Sequence, residues 1–295
     1  MIYQNVLRYR GGRYFWISTG LVVLSFVLYF SQGGVQPPNG GTWQGYVLGT
    51  VGALLILWLA YLGIRKRNYA GGSGSLQGWT SAHIYLGTAV LIIGTLHCAV
   101  QFGWNVHTLS YVLMCGVIFS GFYGLYIYLS NPALIVRNRG GAARSQLFSK
   151  LYGLDQDARQ LARQCNPAVN VAVKSGIERT VLGGRVAAQL WQRDSSQFLE
   201  TAEGAASTRM VGNRNQQPLI DFIAWRIPRA DKRSEAKNLQ DLLSVLVERQ
   251  STVRQLRRDI ALQGWMRIWL YFHVPMTVAL LFALIVHVVT TFYYW

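Results

Sequence analysis

Two stretches of the chain decide how the rest is read: HIYLGTAVLIIGTLH, residues 83–97, and HVPMTVALLFALIVH, residues 273–287. Each begins and ends with histidine, and neither contains a Lys, Arg, Asp or Glu. The interval from His83 to His97 is 14 residues, and so is that from His273 to His287. On a helix of about 3.6 residues per turn this is just under four turns, so each pair shares one face. A rise of about 1.5 Å per residue puts the two levels roughly 21 Å apart. Ionisable groups inside apolar runs are costly to keep there and mark function.

Working outward, a helix needs roughly 20 apolar residues to cross the hydrocarbon core. Five runs qualify: about Tyr14–Phe30, Tyr46–Ile64, Ala82–Phe102, Thr108–Leu129 and Ile268–Tyr293. Gly33-Gly34 and Pro37-Pro38-Asn39-Gly40-Gly41 punctuate the first two as a short turn. The mean hydropathy is +0.21, yet 28 Lys and Arg stand against 12 Asp and Glu, a formal charge of +16. A single soluble domain rarely combines the two. The charges lie between the runs: Arg8, Arg10 and Arg13 before the first, and Arg65, Lys66 and Arg67 after the second. Arg267 stands at the mouth of the fifth. The connectors on the opposite side carry none, which orients the N-terminus to the cytoplasm and the C-terminus to the outer side. The first run is long enough to span and has no A-x-A-like cleavage site after it, so it reads as a retained helix and not a secretory signal.

The segment Asn131–Gly264 holds 21 of the 28 basic and all 12 acidic residues, a balance of +9. It is too long for a connector and reads as a cytoplasmic, mostly helical domain. Ser145–Cys165 reads as helix and Val169–Val173 as a short strand. Leu239, Leu242, Leu246, Val253, Leu256 and Ile260 follow the 3,4 spacing of an amphipathic helix running toward the fifth span, with Arg249 interrupting it. No nucleotide-binding glycine motif appears in this segment, and nucleic acid is not an expected partner. The expected fold is an all-α membrane protein with residues 1–130 forming four spans, 131–264 the basic domain, and 265–295 the fifth span.

Neutral imidazole binds iron through one ring nitrogen, and two imidazoles saturate haem iron axially. The third and fifth spans run the same way, so the pairs of like depth are His83 with His273 and His97 with His287. Two b-type haems held without covalent attachment, one at each level, form a path for electrons from one face to the other. Cys98, Cys115 and Cys165 lie in no CxxC, which excludes c-type attachment and argues against an iron–sulfur centre in this chain. Zinc or copper would require more ligands than two histidines per level. The alternative reading of a membrane histidine is a hydrogen-bonding group between helices, and the matched intervals speak against it. Gly87 and Gly94 lie between the ligands of the third span and make room for a cofactor. Gly45, Gly49 and Gly52 do the same on the second span, and Gly116, Gly121 and Gly124 on the fourth. Pro275 follows His273. His107, beside Trp104, Asn105 and Thr108, is a candidate quinone or proton site, a spare ligand, or an interfacial side chain. Trp16, Trp43, Trp79, Trp104, Trp265, Trp269, Tyr293, Tyr294 and Trp295 suggest an interfacial belt.

The stretches from His83-Ile-Tyr-Leu-Gly through Gly94-Thr-Leu-His97, and from His273-Val-Pro through Ile285-Val-His287, resemble the di-haem cytochrome b superfamily. That superfamily includes the cytochrome b of quinol–cytochrome c reductases and, more loosely, ferric-reductase-like membrane cytochromes. The resemblance implies a four-helix di-haem bundle built from spans two to five, with the first span added. The chain departs from that pattern in three ways: it has no Pro-Glu-Trp-Tyr-like quinol motif, it carries an inserted basic domain, and no flavin or nicotinamide module follows.

Three functional classes follow. The first is an electron-transfer subunit of a respiratory or redox complex, with a c-type cytochrome or iron–sulfur protein as partner, in a bacterial inner membrane. The second is a quinone-linked oxidoreductase using His107 or the Asp259–Arg267 region. The third is a haem-free scaffold whose basic domain docks an acidic partner or anionic lipid. No residue is assigned a catalytic role.

Overall fold

The computed structural model describes residues 4–32, 39–65, 75–201, 207–230 and 232–293. The turn at Gly33-Gly34 and Pro37-Pro38, the charges Lys66 and Arg67, and the aromatics Tyr294 and Trp295 lie outside the described residues. The helices are α1 (Gln4–Leu7), α2 (Arg13–Phe30), α3 (Trp43–Arg65), α4 (Leu76–Cys98), α5 (Val106–Arg139), α6 (Arg144–Arg163), α7 (Pro167–Glu178), α8 (Val186–Leu190), α9 (Gln217–Ala224) and α10 (Arg233–Tyr293). Strands β1 (Gln197–Thr201) and β2 (Thr208–Gly212) form an antiparallel hairpin in which Phe198 faces Val211. Among the described residues, five helices are long and apolar enough to cross a membrane: α2, α3, α4, α5 and α10. The chain falls into two compact units, Met1–Tyr126 with Ile268–Trp295, and Ile127–Arg267.

The first unit is built of apolar helices whose outward faces are apolar as well. Leu24, Phe30, Phe282 and Phe292 are exposed at 64%, 76%, 72% and 78%. So much exposed apolar surface suits a lipid surround and is compatible with a multi-pass membrane protein. Inside, Leu59, Ala82, Leu86, Val90, Met114 and Leu280 form one buried cluster and Leu48, Ala89 and Ile93 another. The Ser75 hydroxyl caps α4 by accepting the Gly78 N–H at 3.1 Å. Helix α4 stops at Cys98, four residues before the apolar run ends at Phe102. Ala99 and Val100 both take left-handed conformations there, with φ of 48° and 59°, and these turn the chain out of the helix.

The second unit packs α6, α7, α9, the hairpin and the first part of α10. Leu147, Leu151, Leu154, Ala158 and Ala162 form the buried face of α6. From α10, Leu239, Leu242 and Leu246 enter one cluster with Phe198, Leu219 and Ile223, while Val253 and Leu256 enter another with Leu147 and Leu151. The 3,4 spacing is thus a buried stripe, and α10 continues as one helix to Tyr293. Arg249 interrupts the stripe as a buried guanidinium, donating to Asp155 at 2.6 Å, Gln216 at 2.7 Å and Thr180 at 3.0 Å.

The expected strand at Val169–Val173 is wrong, because those residues lie in α7. Asn166 caps that helix by accepting the Ala168 N–H at 3.0 Å, and Pro167 occupies its first turn. Both are helix-start signals, and burial of Val169, Ala172, Val173, Gly176 and Ile177 follows the helical period. The strands that do form were not foreseen.

Candidate functional site

The site is built by α3, α4, α5 and the part of α10 in the first unit. Helices α5 and α10 run antiparallel in regular register: His107 meets His287, Ser110 meets Ala283, Gly116 meets Met276, Ser120 meets His273, and Gly124 meets Trp269. The interval of 13 residues from His107 to Ser120 on α5 therefore answers the 14 from His273 to His287 on α10.

At one level His97 and His287 face each other, with ring centroids 6.0 Å apart and planes at 84°. Two imidazoles bound to one metal through bonds of about 2 Å have centroids roughly 6 Å apart. The Nδ1 of His97 lies 2.8 Å from the Gly45 carbonyl. A carbonyl can only accept, so Nδ1 carries the proton and Nε2 is bare, the tautomer a metal-binding histidine requires. Gly49 makes this seat possible: a methyl group there would stand 2.7 Å from Cε1 and 2.9 Å from Nδ1 of His97. The Nδ1 of His287 lies 2.6 Å from Nδ1 of His107, the rings being 4.6 Å apart.

A cavity of about 530 Å³ adjoins this pair, within the range of roughly 300–1,000 Å³ common for cofactor and small-molecule sites. Its walls include Gly94, Val90, Met114 and Leu280 at the apolar end, and Gln101, Asn105, His107 and Thr108 at the polar end. The Tyr111 and Thr95 hydroxyls, 3.0 Å apart, join α5 to α4 beside it.

At the other level His273 sits against Ser120, with Oγ 2.8 Å from Nδ1. Ser120 gives its own proton to the Val117 carbonyl at 2.8 Å, so it accepts from His273, and here too Nε2 is left bare. Gly121 lies near the ring, and Trp269 packs against it with centroids 5.2 Å apart and planes tilted by 34°, while donating its indole N–H to the Ser120 carbonyl at 2.7 Å. Trp269, expected in the interfacial belt, thus belongs to the site, and its indole occupies the space a side chain at Gly124 would take. Trp79, expected in the same belt, stacks on Trp58 at 4.6 Å. His83 is on α4, 14 residues before His97. Among the described residues, the ring contact between His97 and His287 has no counterpart between His83 and His273.

Of the two glycines expected beside the cofactor, Gly94 lines the cavity and seats Met114, whose Cε would be 2.7 Å from an added methyl. Gly87 has only Leu59 near it, at 4.0 Å from such a methyl. Asp259 is fully buried and accepts from Arg139 at 2.7 and 3.0 Å, with Arg144 at 3.4 Å. Among the described residues no group of three or more His, Cys, Asp or Glu is close enough to hold a metal ion. Sequence reasoning missed Ser120 and the carbonyl of Gly45. The antiparallel register of α5 and α10 was the signal that points to Ser120.

No protein-family model matches the chain, and no curated protein or solved structure matches it either, so function is read from the site's own geometry.

Proposed function

We propose that this protein is a di-haem b-type membrane cytochrome, an electron-transfer subunit with bis-histidine sites at His97/His287 and His83/His273. The observation that carries the reading is the His97–His287 pair: 6.0 Å between rings, beside a cofactor-sized cavity, with each Nδ1 engaged by a neighbour. The mixture of polar and apolar residues lining that cavity suits an amphipathic macrocycle. A haem held by these histidines would supply iron that exchanges single electrons. The chain's own part is to present bare Nε2 atoms and hold their rings in place. Leu280, Val90 and Met114 keep water from the apolar end.

In this reading the protein lies in a bacterial inner membrane with its N-terminus and the basic unit in the cytoplasm, as the charge distribution favours. Its partners are a c-type cytochrome or iron–sulfur protein, with quinone as a further candidate. The second reading, a quinone-linked oxidoreductase, draws on His107, Asn105 and Thr108 at the polar end of the cavity.

The test is a reduced-minus-oxidised optical spectrum with a pyridine haemochrome assay on the detergent-purified protein. Two b haems per chain are expected, falling to one in His97→Ala and in His287→Ala. A colourless protein made with ample haem would refute the reading and leave the docking scaffold. Quinol-dependent reduction of the isolated protein would favour the oxidoreductase.

A further inference from the structure

We infer that His107 is a positioning residue for His287, accepting the His287 Nδ1 proton so that His287 presents a bare Nε2. The inference rests on the haem reading and assigns a role to a histidine that the four-ligand scheme leaves over.

A hydrogen bond between two neutral ring nitrogens holds one proton, so at 2.6 Å one of the two Nδ1 atoms donates and the other accepts. The distance does not say which, but three observations do. First, His97 gives its Nδ1 proton to the Gly45 carbonyl, a group that has no proton to return. Second, His273 gives its Nδ1 proton to Ser120, whose own hydroxyl proton is committed to Val117. Third, α5 supplies the partner of both α10 histidines in one unbroken register, so His107 stands to His287 as Ser120 stands to His273. The reverse arrangement puts the proton on His287 Nε2, which makes no hydrogen bond among the described residues. A half-buried donor left without an acceptor is unfavourable. His107 is itself exposed and lines the cavity together with Asn105 and Thr108, so its Nε2–H is open to solvent.

The two sides of this level therefore differ. His97 is tied to the backbone, which no side-chain substitution removes. His287 is tied to a side chain that can be replaced without touching either helix backbone. Partners of this kind orient a metal-binding histidine and set its tautomer, and their loss typically weakens metal affinity about 10–100-fold.

The test compares full-length wild type, His107→Leu and His107→Asn in detergent. Asparagine places a carbonyl oxygen where His107 has Nδ1, so it restores the acceptor, whereas leucine fills the space without one. Two readouts are taken: low-spin haem signals by electron paramagnetic resonance during a haem titration, and the side-chain ¹⁵N spectrum of histidine-labelled, haem-free protein. The expected result for His107→Leu is about 10–100-fold weaker haem retention at the His97/His287 level, an unchanged second level, and loss of the Nδ1–H form of His287. His107→Asn restores both. Wild-type affinity and g-values in His107→Leu would overturn the proposal. So would equal defects in the two variants with folding intact, since that means His107 only fills space. If wild type takes up no haem, the cytochrome reading fails by itself. The ¹⁵N spectrum then still decides the proton's place: Nδ1–H on His287, lost with leucine and kept with asparagine, supports the inference, and Nε2–H refutes it.

Discussion

Replacing Gly49 with alanine probes the seat of His97 with a single methyl group. The added carbon would stand 2.7 Å from Cε1, 2.9 Å from Nδ1 and 3.2 Å from Nε2 of the imidazole. Ordinary contact begins near 3.4 Å, so the ring must retreat by about 0.7–1 Å. Its bond to the Gly45 carbonyl, now 2.8 Å, then passes the roughly 3.5 Å limit of a useful hydrogen bond. Losing that bond costs about 0.5–1.5 kcal/mol, and overpacking adds about 1–3 kcal/mol to the destabilisation. The orienting group of a metal-binding histidine is lost with it, a change that lowers affinity about 10–100-fold. Gly63→Ala is the matched control on the same helix, because it lies outside the cavity lining and its methyl would meet nothing within 4 Å. Haem content and low-spin spectra of the two purified variants give the comparison, with the second level as internal standard. Gly49→Ala should lose or shift one haem and Gly63→Ala neither. Equal behaviour of the two variants would show that His97 is not seated as described.

At the other level, Ser120→Ala removes the acceptor for His273. It should perturb only the spectrum of that haem, with Ser120→Thr, which keeps the hydroxyl, restoring it; an unchanged potential in the alanine variant would count against Ser120. In the basic unit, Asp194 and Arg257 are almost fully buried and share bonds of 2.5 and 2.6 Å. Burial pushes the Asp194 carboxyl up, but the Ser196 hydroxyl and N–H and the Arg257 guanidinium outweigh it and hold it below the usual range. A depressed folded-state pKa contributes stability above the unfolded value of about 4 that is lost as pH falls through the folded one. Arg257→Ala, which leaves that carboxylate without its cation, should cost about 3–5 kcal/mol. It should also move acid unfolding to higher pH in near-UV circular dichroism. A transition unmoved by the substitution would contradict this account.

The apolar helices could be read directly from the chain because an unbroken uncharged run of sufficient length is a local property. So could the stripe from Leu239 to Ile260, whose residues are buried as their spacing implies from Leu239 to Leu256 and half-buried at Ile260. Local signals misled where two periods compete. Val169–Val173 is short and rich in β-branched residues, yet the Asn166 cap and Pro167 commit it to helix. Helix α4 ends early because backbone conformation at Ala99 and Val100 overrides hydropathy. Arg249 looked like a break in an apolar face, while its partners Asp155, Thr180 and Gln216 come from three other parts of the unit.

The same division runs through the candidate site. Helical rise and period act along one segment, so spacing alone puts His83 with His97, and His273 with His287, on shared faces at two levels. Charge segregation likewise depends only on where Lys and Arg fall between the runs. Which atom meets each Nδ1 is another matter. That the Gly45 carbonyl, Ser120 and His107 take those places, and that Gly49 must lack a side chain, follows from how neighbouring helices are rotated and shifted against one another. Rotation and register are properties of packed pairs of helices, and residues more than 150 positions apart in the chain, such as Ser120 and His273, meet only once that packing is formed.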